Sequence, residues 1–547
     1  MDIKEKTISL IDALKTVCQS FGLGNDGNEY KIITQVFLYK FINDKFGCEI
    51  RKISPETTSA ARWEDAYSEM PENRRSELLS ALPEEIPALL PEQLVHNLWK
   101  RRECADFDVI FDRTMTDIAE INKDIFFTRT AQETRIPLFE RLTHYVTDEA
   151  QRADFARAIT GKLVHFSFEE AFDKNYDFFA DIFEYLIKDY NTAGGGRYAE
   201  YYTPHSISSV MARLLTGNSG ELHDVECYDP SAGTGTLLMG LCHQIGEKNC
   251  RIYSQDISQR SNKMLKLNLI LNGLVSSLDN VIQGDTLVSP YHRSDDGGEL
   301  RKFDFVVSNP PFKMDFSDTR EKLAAMPERF WAGVPKIPAK KKEGMAIYTC
   351  FLQHVINSLK GDGKGAVVIP TGFITAKSGV ENVMLRHLTD NRLVYGCISM
   401  PPNLFATTGT NVSVLFLDKS GKSNGAVLIN ATGMGEEYRD NGFQKRRLRD
   451  NEIDEIVTTF LDRESVEGFS VVVSYDEIKA KNYSLSAGQY FGVKAAVSAL
   501  TPEEFSAEME ECSCKLRSLF EEGNALQNEI LRELEALELT QKIGGSE

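Results

Sequence analysis

Within five residues, Ser308-Asn309-Pro310-Pro311-Phe312 offers an amide, a backbone carbonyl with no competing proline N–H, and an aromatic face. The two prolines forbid helix and fix a rigid, extended turn. In such a turn Asn309 Oδ1 and the Pro310 carbonyl can each accept an N–H bond, while Phe312 stacks on a ring. That set suits a planar amine held in place. The preceding run, Phe303-Asp304-Phe305-Val306-Val307, is short, apolar and partly β-branched, so it reads as a buried strand of a parallel sheet. Ligands of open α/β sheets bind at the carboxyl ends of such strands. A lone Pro-Pro reads as a plain turn, so the rest of the chain must decide what this one does.

Three upstream segments have the same form, a short apolar strand ending in a polar residue. Val225-Glu226-Cys227-Tyr228 runs into Asp229-Pro230-Ser231-Ala232-Gly233-Thr234-Gly235-Thr236, whose glycines permit a tight turn and close approach of a ligand to the backbone. A third glycine at dinucleotide spacing and the Lys-Ser/Thr of a P-loop are both missing, which argues against nicotinamide and nucleoside-triphosphate chemistry. The Asp229-Pro230 start favours a nucleoside ligand with a methionine-like amino-acid end. Arg251 to Asp256 reads as a second strand, and a carboxylate at its end can accept hydrogen bonds from both hydroxyls of a ribose. Asn280 to Leu287 reads as a third, with Asp285 at the same edge. Asp229, Asp256, Asp285 and Asn309 thus stand in order at four strand ends, a coincidence stronger than any one member. Earlier still, Glu200-Tyr201-Tyr202-Thr203-Pro204-His205 precedes a helix from about Ser206. Thr203-Pro204 has the form of a helix start. A helix N-terminus binds carboxylates, and the tyrosines are suited to cover an adenine or a sulfonium.

The chain has 547 residues, with 42% hydrophobic and 26% charged, the composition of a multidomain globular protein. No apolar run reaches the roughly 20 residues needed to span a bilayer, and the start Met1 to Lys6 lacks a signal-peptide pattern. A cytoplasmic location is therefore expected, with no membrane partner. The ten cysteines are scattered without Cys-x-x-Cys pairs, so reduced thiols and no metal site are expected. The net charge of −19 opposes tight, unaided binding to DNA. Either nucleic acid is not the substrate or another subunit supplies much of the grip.

Residues 1–185 read as a helical domain, with Ile33, Val36, Phe37 and Phe41 on the apolar face of a helix from Tyr30 to Phe46. Residues 186–490 read as the α/β catalytic domain, with later strands at Gly365 to Pro370 and Asn411 to Leu417. Within it, Arg320 to Lys342 reads by default as a solvated loop, and the Lys340-Lys341-Lys342 run suggests a lid or a nucleic-acid contact. Residues 491–547 read as a helical tail in which Leu516, Leu519, Leu526, Ile530 and Leu537 fit a seven-residue repeat, as in a subunit contact.

The Asp229 to Gly235 loop resembles the S-adenosylmethionine loop of class I methyltransferases, and Asn309-Pro310-Pro311-Phe312 resembles the catalytic motif of amino-methyltransferases acting on adenine N6. With Glu200 to Pro204 ahead of the glycine loop, the order is similar to that of the modification (M) subunit of type I restriction–modification systems, over most of the chain. Asp256 stands where that family often has Glu. The resemblance implies a class I, Rossmann-like α/β core with a helical amino-terminal domain and a helical tail. It implies S-adenosyl-L-methionine as cofactor, bound by Glu200, Tyr201, Tyr202, Thr203, Pro204, His205, Asp229, Ser231, Ala232, Gly233, Gly235, Asp256 and Asp285. Asn309, Pro310, Pro311 and Phe312 would act on an adenine flipped from double-stranded DNA. The implied partners are a specificity (S) subunit that reads the DNA, a second M subunit and, in the restricting complex, a restriction (R) subunit. Competing readings are a protein glutamine methyltransferase, which uses a similar turn, a cytosine-N4 enzyme, and a non-catalytic scaffold of a DNA-modifying complex.

Overall fold

Short runs of buried Val, Ile, Phe and Leu alternate with helices across the middle of the chain, and such alternation builds a parallel sheet covered on both faces. The computed structural model describes residues 2–24, 28–130, 134–172, 178, 181–182, 185, 203–217, 220–294, 297–405, 411–440, 443–491 and 502–543. The strands are β1 (Phe127–Thr130), β2 (Arg135–Pro137), β3 (Val225–Asp229), β4 (Cys250–Asp256), β5 (Val281–Gln283), β6 (Phe303–Ser308) and β7 (Leu359–Pro370). They continue with β8 (Val394–Ser399), β9 (Val412–Asp418), β10 (Ala426–Asn430), β11 (Glu436–Asp440), β12 (Phe443–Arg447) and β13 (Ser470–Val473).

Eleven of these form one sheet in the order β13-β10-β8-β9-β7-β6-β3-β4-β5-β1-β2. Its central part, β5-β4-β3-β6-β7-β9-β8, is parallel except for β9, which runs antiparallel to both β7 and β8. That is the strand order of a class I methyltransferase core. Strand order reverses at β3, with β4 on one side and β6 on the other, so a crevice opens beyond the carboxyl ends of β3 and β6. At the opposite ends of the same two strands, Glu226 is ion-paired with Arg301 and Lys360, and Lys360 also with Asp304 at 2.8 Å. These contacts pin the register of β3 against β6.

The amino-terminal part is mainly helical, as expected. The helix read as Tyr30 to Phe46 extends over Glu29–Ile53 and is buried on most of its circumference rather than along one face. This region also contributes β1 and β2, which sequence reading did not anticipate; β1 pairs in parallel with β5 and so prolongs the main sheet. Runs of four and three residues carry too little periodicity to register as strands. The stretch from Arg320 to Lys342 corrects the expectation of a solvated loop. Phe316, Leu323, Phe330 and Val334 are buried with Leu287, Met345, Ile347, Cys350 and Phe351 in a small core of their own. Lys340, Lys341 and Lys342 remain exposed on its outside.

The chain divides into two compact units, Met1–Phe491 and Gly492–Glu547. The second contains the helix Pro502–Ile543, on which Leu516, Leu519, Leu526 and Ile530 are all more than half exposed. No helix among the described residues is long and apolar enough to cross a membrane, and none of their acidic, His and Cys side chains cluster as a metal site.

One buried cation fastens the amino-terminal strands to the core. Lys266, on the helix Gln259–Leu271, is fully buried and donates from Nζ to the Phe127 carbonyl at 2.5 Å. Desolvation pulls its pKa down to about 7. The unfolded chain therefore holds more protons between about pH 7 and 10, and stability rises with pH across that window, at roughly 1.4 kcal/mol per unit where steepest. Below pH 7 the lysine is charged in both states and its burial penalty is undiminished. Lys266→Met should accordingly raise the melting temperature more at pH 6.5 than at pH 9.5. Equal effects at both pH values would refute this role.

Candidate functional site

The turn after β3 is shaped by its glycines. Gly233 and Gly235 have φ of +53° and +83°, in the region that L side chains avoid. At Gly235 a Cβ would also lie 2.1 Å from Leu265 Cδ1, so this turn packs directly on the helix that follows β4. The turn wraps over the carboxyl end of β3 and starts the helix Thr236–Ile245.

Asp229 is buried at the end of β3 and accepts from the Ser231 N–H at 2.9 Å. Burial pushes its pKa up to about 8; the Ser231 N–H opposes the shift and the nearby Asp256 adds to it. Asp256 ends β4. One carboxylate oxygen accepts from the Gly233 N–H and the other from the Ser258 N–H, both at 2.8 Å. Burial raises the Asp256 pKa too, against the pull of these two N–H groups. Two donors use about half of the lone-pair sites of a carboxylate, leaving acceptors for two further hydroxyls.

Asp285 lies two residues beyond β5, and its Oδ1 accepts from the Leu287 and Val288 N–H groups at 2.9 and 3.1 Å. It therefore caps the turn that follows it. The next residue, Thr286, donates to the Pro230 carbonyl at 2.7 Å, tying this turn to the glycine loop. Ser231 Oγ and Ser308 Oγ are 2.7 Å apart, so the loop after β3 and the end of β6 are hydrogen-bonded at the crevice.

Asn309 follows β6 directly and is buried, as is Pro310. Its Nδ2 donates to Thr203 Oγ1 at 3.0 Å. This fixes the amide plane and leaves Oδ1 as an acceptor. Thr203 arrives there because Pro204 opens the helix His205–Thr216, which packs closely on the helix Thr236–Ile245. Ser208 donates to the Thr236 carbonyl at 2.8 Å, and a Cβ on Gly240 would lie 2.2 Å from Ser208 Oγ. Only a residue without a side chain permits that approach. Phe312 is half-buried, with its ring edge-on to Tyr348 at 6.3 Å.

The structure thus brings Thr203, Asp229, Ser231, Gly233, Asp256 and Asn309 to one sheet edge in three hydrogen-bonded groups, Thr203 with Asn309, Asp229 with Ser231 and Ser308, and Gly233 with Asp256. Asp285 joins it through the backbone of its turn, while Ala232 and Gly235 shape the loop. Pro204 and His205 open the helix that carries Thr203, and Pro311 is half-buried ahead of Phe312. Glu200, Tyr201 and Tyr202 lie outside the described residues. Two features escaped the sequence reading. Ile257, next to Asp256, is 62% exposed and offers an apolar face beside the carboxylate; a single exposed apolar residue has no periodic signature. The pairing of Thr203 with Asn309 spans 106 positions and left no local trace.

Known proteins resemble this chain in sequence and in fold. The chain is 28% identical over 360 residues to the type I restriction enzyme MpnII methylase subunit of Mycoplasma pneumoniae, covering 64% of each protein. It is 28% identical over 377 residues to the MjaIX methylase subunit of Methanocaldococcus jannaschii, covering 66% of this chain and 63% of that one. The match thus spans a little under two thirds of the length of these relatives. Among solved structures, the type I restriction–modification methyltransferase subunit from Streptococcus thermophilus has the same fold, with a TM-score of 0.69 at 20% identity over 89% of this chain and 99% of that one. A modification subunit of a putative type I restriction enzyme from Vibrio vulnificus follows at a TM-score of 0.55 and 15% identity, over 87% and 93% of the two chains. The sequence model for N-6 DNA Methylase matches residues 174–498, from ahead of Thr203 to beyond β13, and the chain belongs to that family.

Proposed function

We propose that this chain is the modification subunit of a type I restriction–modification system, transferring a methyl group from S-adenosylmethionine to N6 of an adenine flipped out of duplex DNA. The observation that carries the proposal is the Asn309 amide, oriented by Thr203 at the crevice and joined through Ser231 and Ser308 to the glycine loop. In this reading residues 186–490 carry catalysis, 1–185 support and extend the sheet, and 491–547 contact a partner. An S subunit selects the sequence, and a second M subunit and an R subunit complete the complex in the cytoplasm.

The residues present fit the cofactor. Asp256 keeps acceptor sites for the two ribose hydroxyls, Ile257 offers an apolar surface to the adenine, and Asp229 is placed to meet an ammonium group. Bound S-adenosylmethionine supplies an electrophilic methyl on sulfur. The chain supplies position. Asn309 Oδ1 and the Pro310 carbonyl accept the two N–H bonds of the target amine, turning its lone pair out of ring conjugation, and Phe312 stacks on the flipped base. Held there, the amine would be aimed at that methyl, and Asn309 and the Pro310 carbonyl would leave it a path to release its proton to solvent. No covalent enzyme intermediate is required, so catalysis rests on orientation and electrostatics.

With the S subunit present, Asn309→Ala should lower methyl transfer by about two to three orders of magnitude, the scale of losing one pre-organised polar group. Its affinity for S-adenosylmethionine should stay within a few-fold of the native value. Single-turnover assays with tritiated cofactor, followed by nucleoside analysis, test this. N4-methylcytosine as the product, or near-native rates in the variant, would overturn the assignment. The chain without its S subunit should bind the cofactor and methylate DNA poorly.

A second consequence concerns pH. Asp229 is mostly neutral at pH 7 because its pKa is about 8. An ammonium group bound beside it favours the carboxylate, so binding releases a proton and affinity rises with pH, by up to about tenfold per unit between pH 6 and 7.5. Calorimetry in buffers of different ionisation enthalpy should detect that release. Asp229→Asn should remove the pH dependence in this range, and an unchanged dependence would exclude Asp229 as its source.

A further inference from the structure

Strands β11 and β12 form a two-stranded antiparallel ribbon outside the main sheet, with Glu436 opposite Arg447 and Tyr438 opposite Lys445. Such a ribbon is marginal on its own, and this one is held at its base. Arg446 donates from its backbone N–H to the Asn403 carbonyl at 3.0 Å and from Nη1 to the Thr432 and Met434 carbonyls at 3.2 and 3.3 Å. Arg446 is also paired with Glu437, and Arg449 with Glu436. Arg439 and Arg447 are exposed and make no ion pair among the described residues. Glu436 and Glu437 are therefore engaged at its base while two guanidinium groups face solvent.

Topology places these groups. Strands β6, β7, β8 and β10 all run in the same direction, so their carboxyl ends share one sheet edge. The Asn309 turn follows β6, an exposed loop with Lys377 follows β7, the Asn403 loop follows β8, and the ribbon follows β10. Exposed Lys313 stands directly after Phe312. Four strand spacings separate β6 from β10, or about 19 Å along the edge, the rise of five to six base pairs. On a chain with a net charge of −19, these exposed cations at the sheet edge that carries Asn309 stand against the overall charge, with exposed Asp315 two residues beyond Lys313.

We propose that the ribbon is a phosphate clamp: Arg439 and Arg447, which the register puts on opposite faces of the ribbon, act with Lys313 and Lys377 at the same sheet edge to hold the backbone of the duplex flanking the flipped base. A two-stranded ribbon fits the major groove, and cations without a fixed acceptor suit phosphates rather than base edges. The proposal rests on the methyltransferase reading and adds the surface that carries the DNA away from the active site.

The test uses the full-length chain assembled with its S subunit and a fluorescein-labelled duplex of about 30 base pairs, read by anisotropy between about 20 and 200 mM salt. Converting both Arg439 and Arg447 to Gln should lower affinity at low salt roughly tenfold and reduce the slope of log K against log salt by nearly two, about 0.9 for each phosphate no longer neutralised. Converting both to Lys should preserve the slope. The control changes two exposed cations at the opposite edge, Lys248→Gln with Arg251→Gln, just before and within the start of β4; it alters net charge equally and should leave the slope native. Titration with S-adenosylmethionine should be unchanged in every variant, which also reports folding.

A native slope in the Arg439/Arg447 variant would overturn the clamp, as would an equal drop in the control. Acidic-protein binding at the ribbon, abolished in the Gln variant while DNA binding stays native, would reassign it to a protein partner. Failure of the native chain to bind S-adenosylmethionine would instead strike the methyltransferase reading itself.

Discussion

Strands β3 and β6 are hydrogen-bonded neighbours, yet the chain leaves them on opposite sides: β3 leads outward to β4, β6 to β7. Connections that diverge cannot cover the space between them, so the carboxyl ends of this pair stay accessible in an otherwise covered sheet. The residues with chemistry are those the pair delivers to that gap. Cys227 lies opposite Phe305 and Tyr228 opposite Val306, a register that brings the Ser231 turn level with the end of β6 and allows the Ser231–Ser308 contact. A shift of one residue would turn each side chain of the strand to the other face and separate the loop from the amide. The ion pairs of Glu226, Arg301, Asp304 and Lys360 at the far ends oppose that shift.

Around this fixed pair the site is assembled from short-range polar contacts in a place where acids are poorly hydrated. Burial raises the pKa of both Asp229 and Asp256, and Asp256 is near enough to raise that of Asp229 further. A site that meets a cationic ligand gains from such acids, because the ligand replaces the solvation that folding removed. The same acidity works against DNA. The proposed roles separate the two problems in space, with Asp229 and Asp256 inside the crevice and Lys313, Lys377, Arg439 and Arg447 exposed outside it.

The strand-end residues were legible from sequence because each combines a short buried run with one polar residue at a fixed offset, and both signals are local. Asn309 and Phe312 were legible for the further reason that two consecutive prolines dictate backbone shape without help from neighbours. What was illegible depends on contacts distant in sequence. The segment around Phe316, Leu323 and Phe330 looks solvated because its apolar residues are spread among Lys and Pro with no helical or strand period, and only the folded chain shows Leu287 and Phe351 closing on them. The ribbon carries Asn441-Gly442, a strong hairpin signal, between flanks whose charges hide the alternation that normally marks strands.

The least legible contact also does the most to turn a motif into a site. An Asn-Pro-Pro-Phe turn supplies an amide, but a free amide rotates and presents oxygen or nitrogen alike. Donation from Asn309 Nδ2 to Thr203 selects the oxygen for the crevice. That selection reaches back through the helix His205–Thr216 to its packing against Thr236–Ile245, where the bare backbone at Gly240 lets Ser208 come close. The helix that positions Thr203 therefore rests on the helix that the glycine loop begins. The glycine loop and the Asn309 amide are in this way parts of one packed unit, and a change that loosens either helix contact disturbs both.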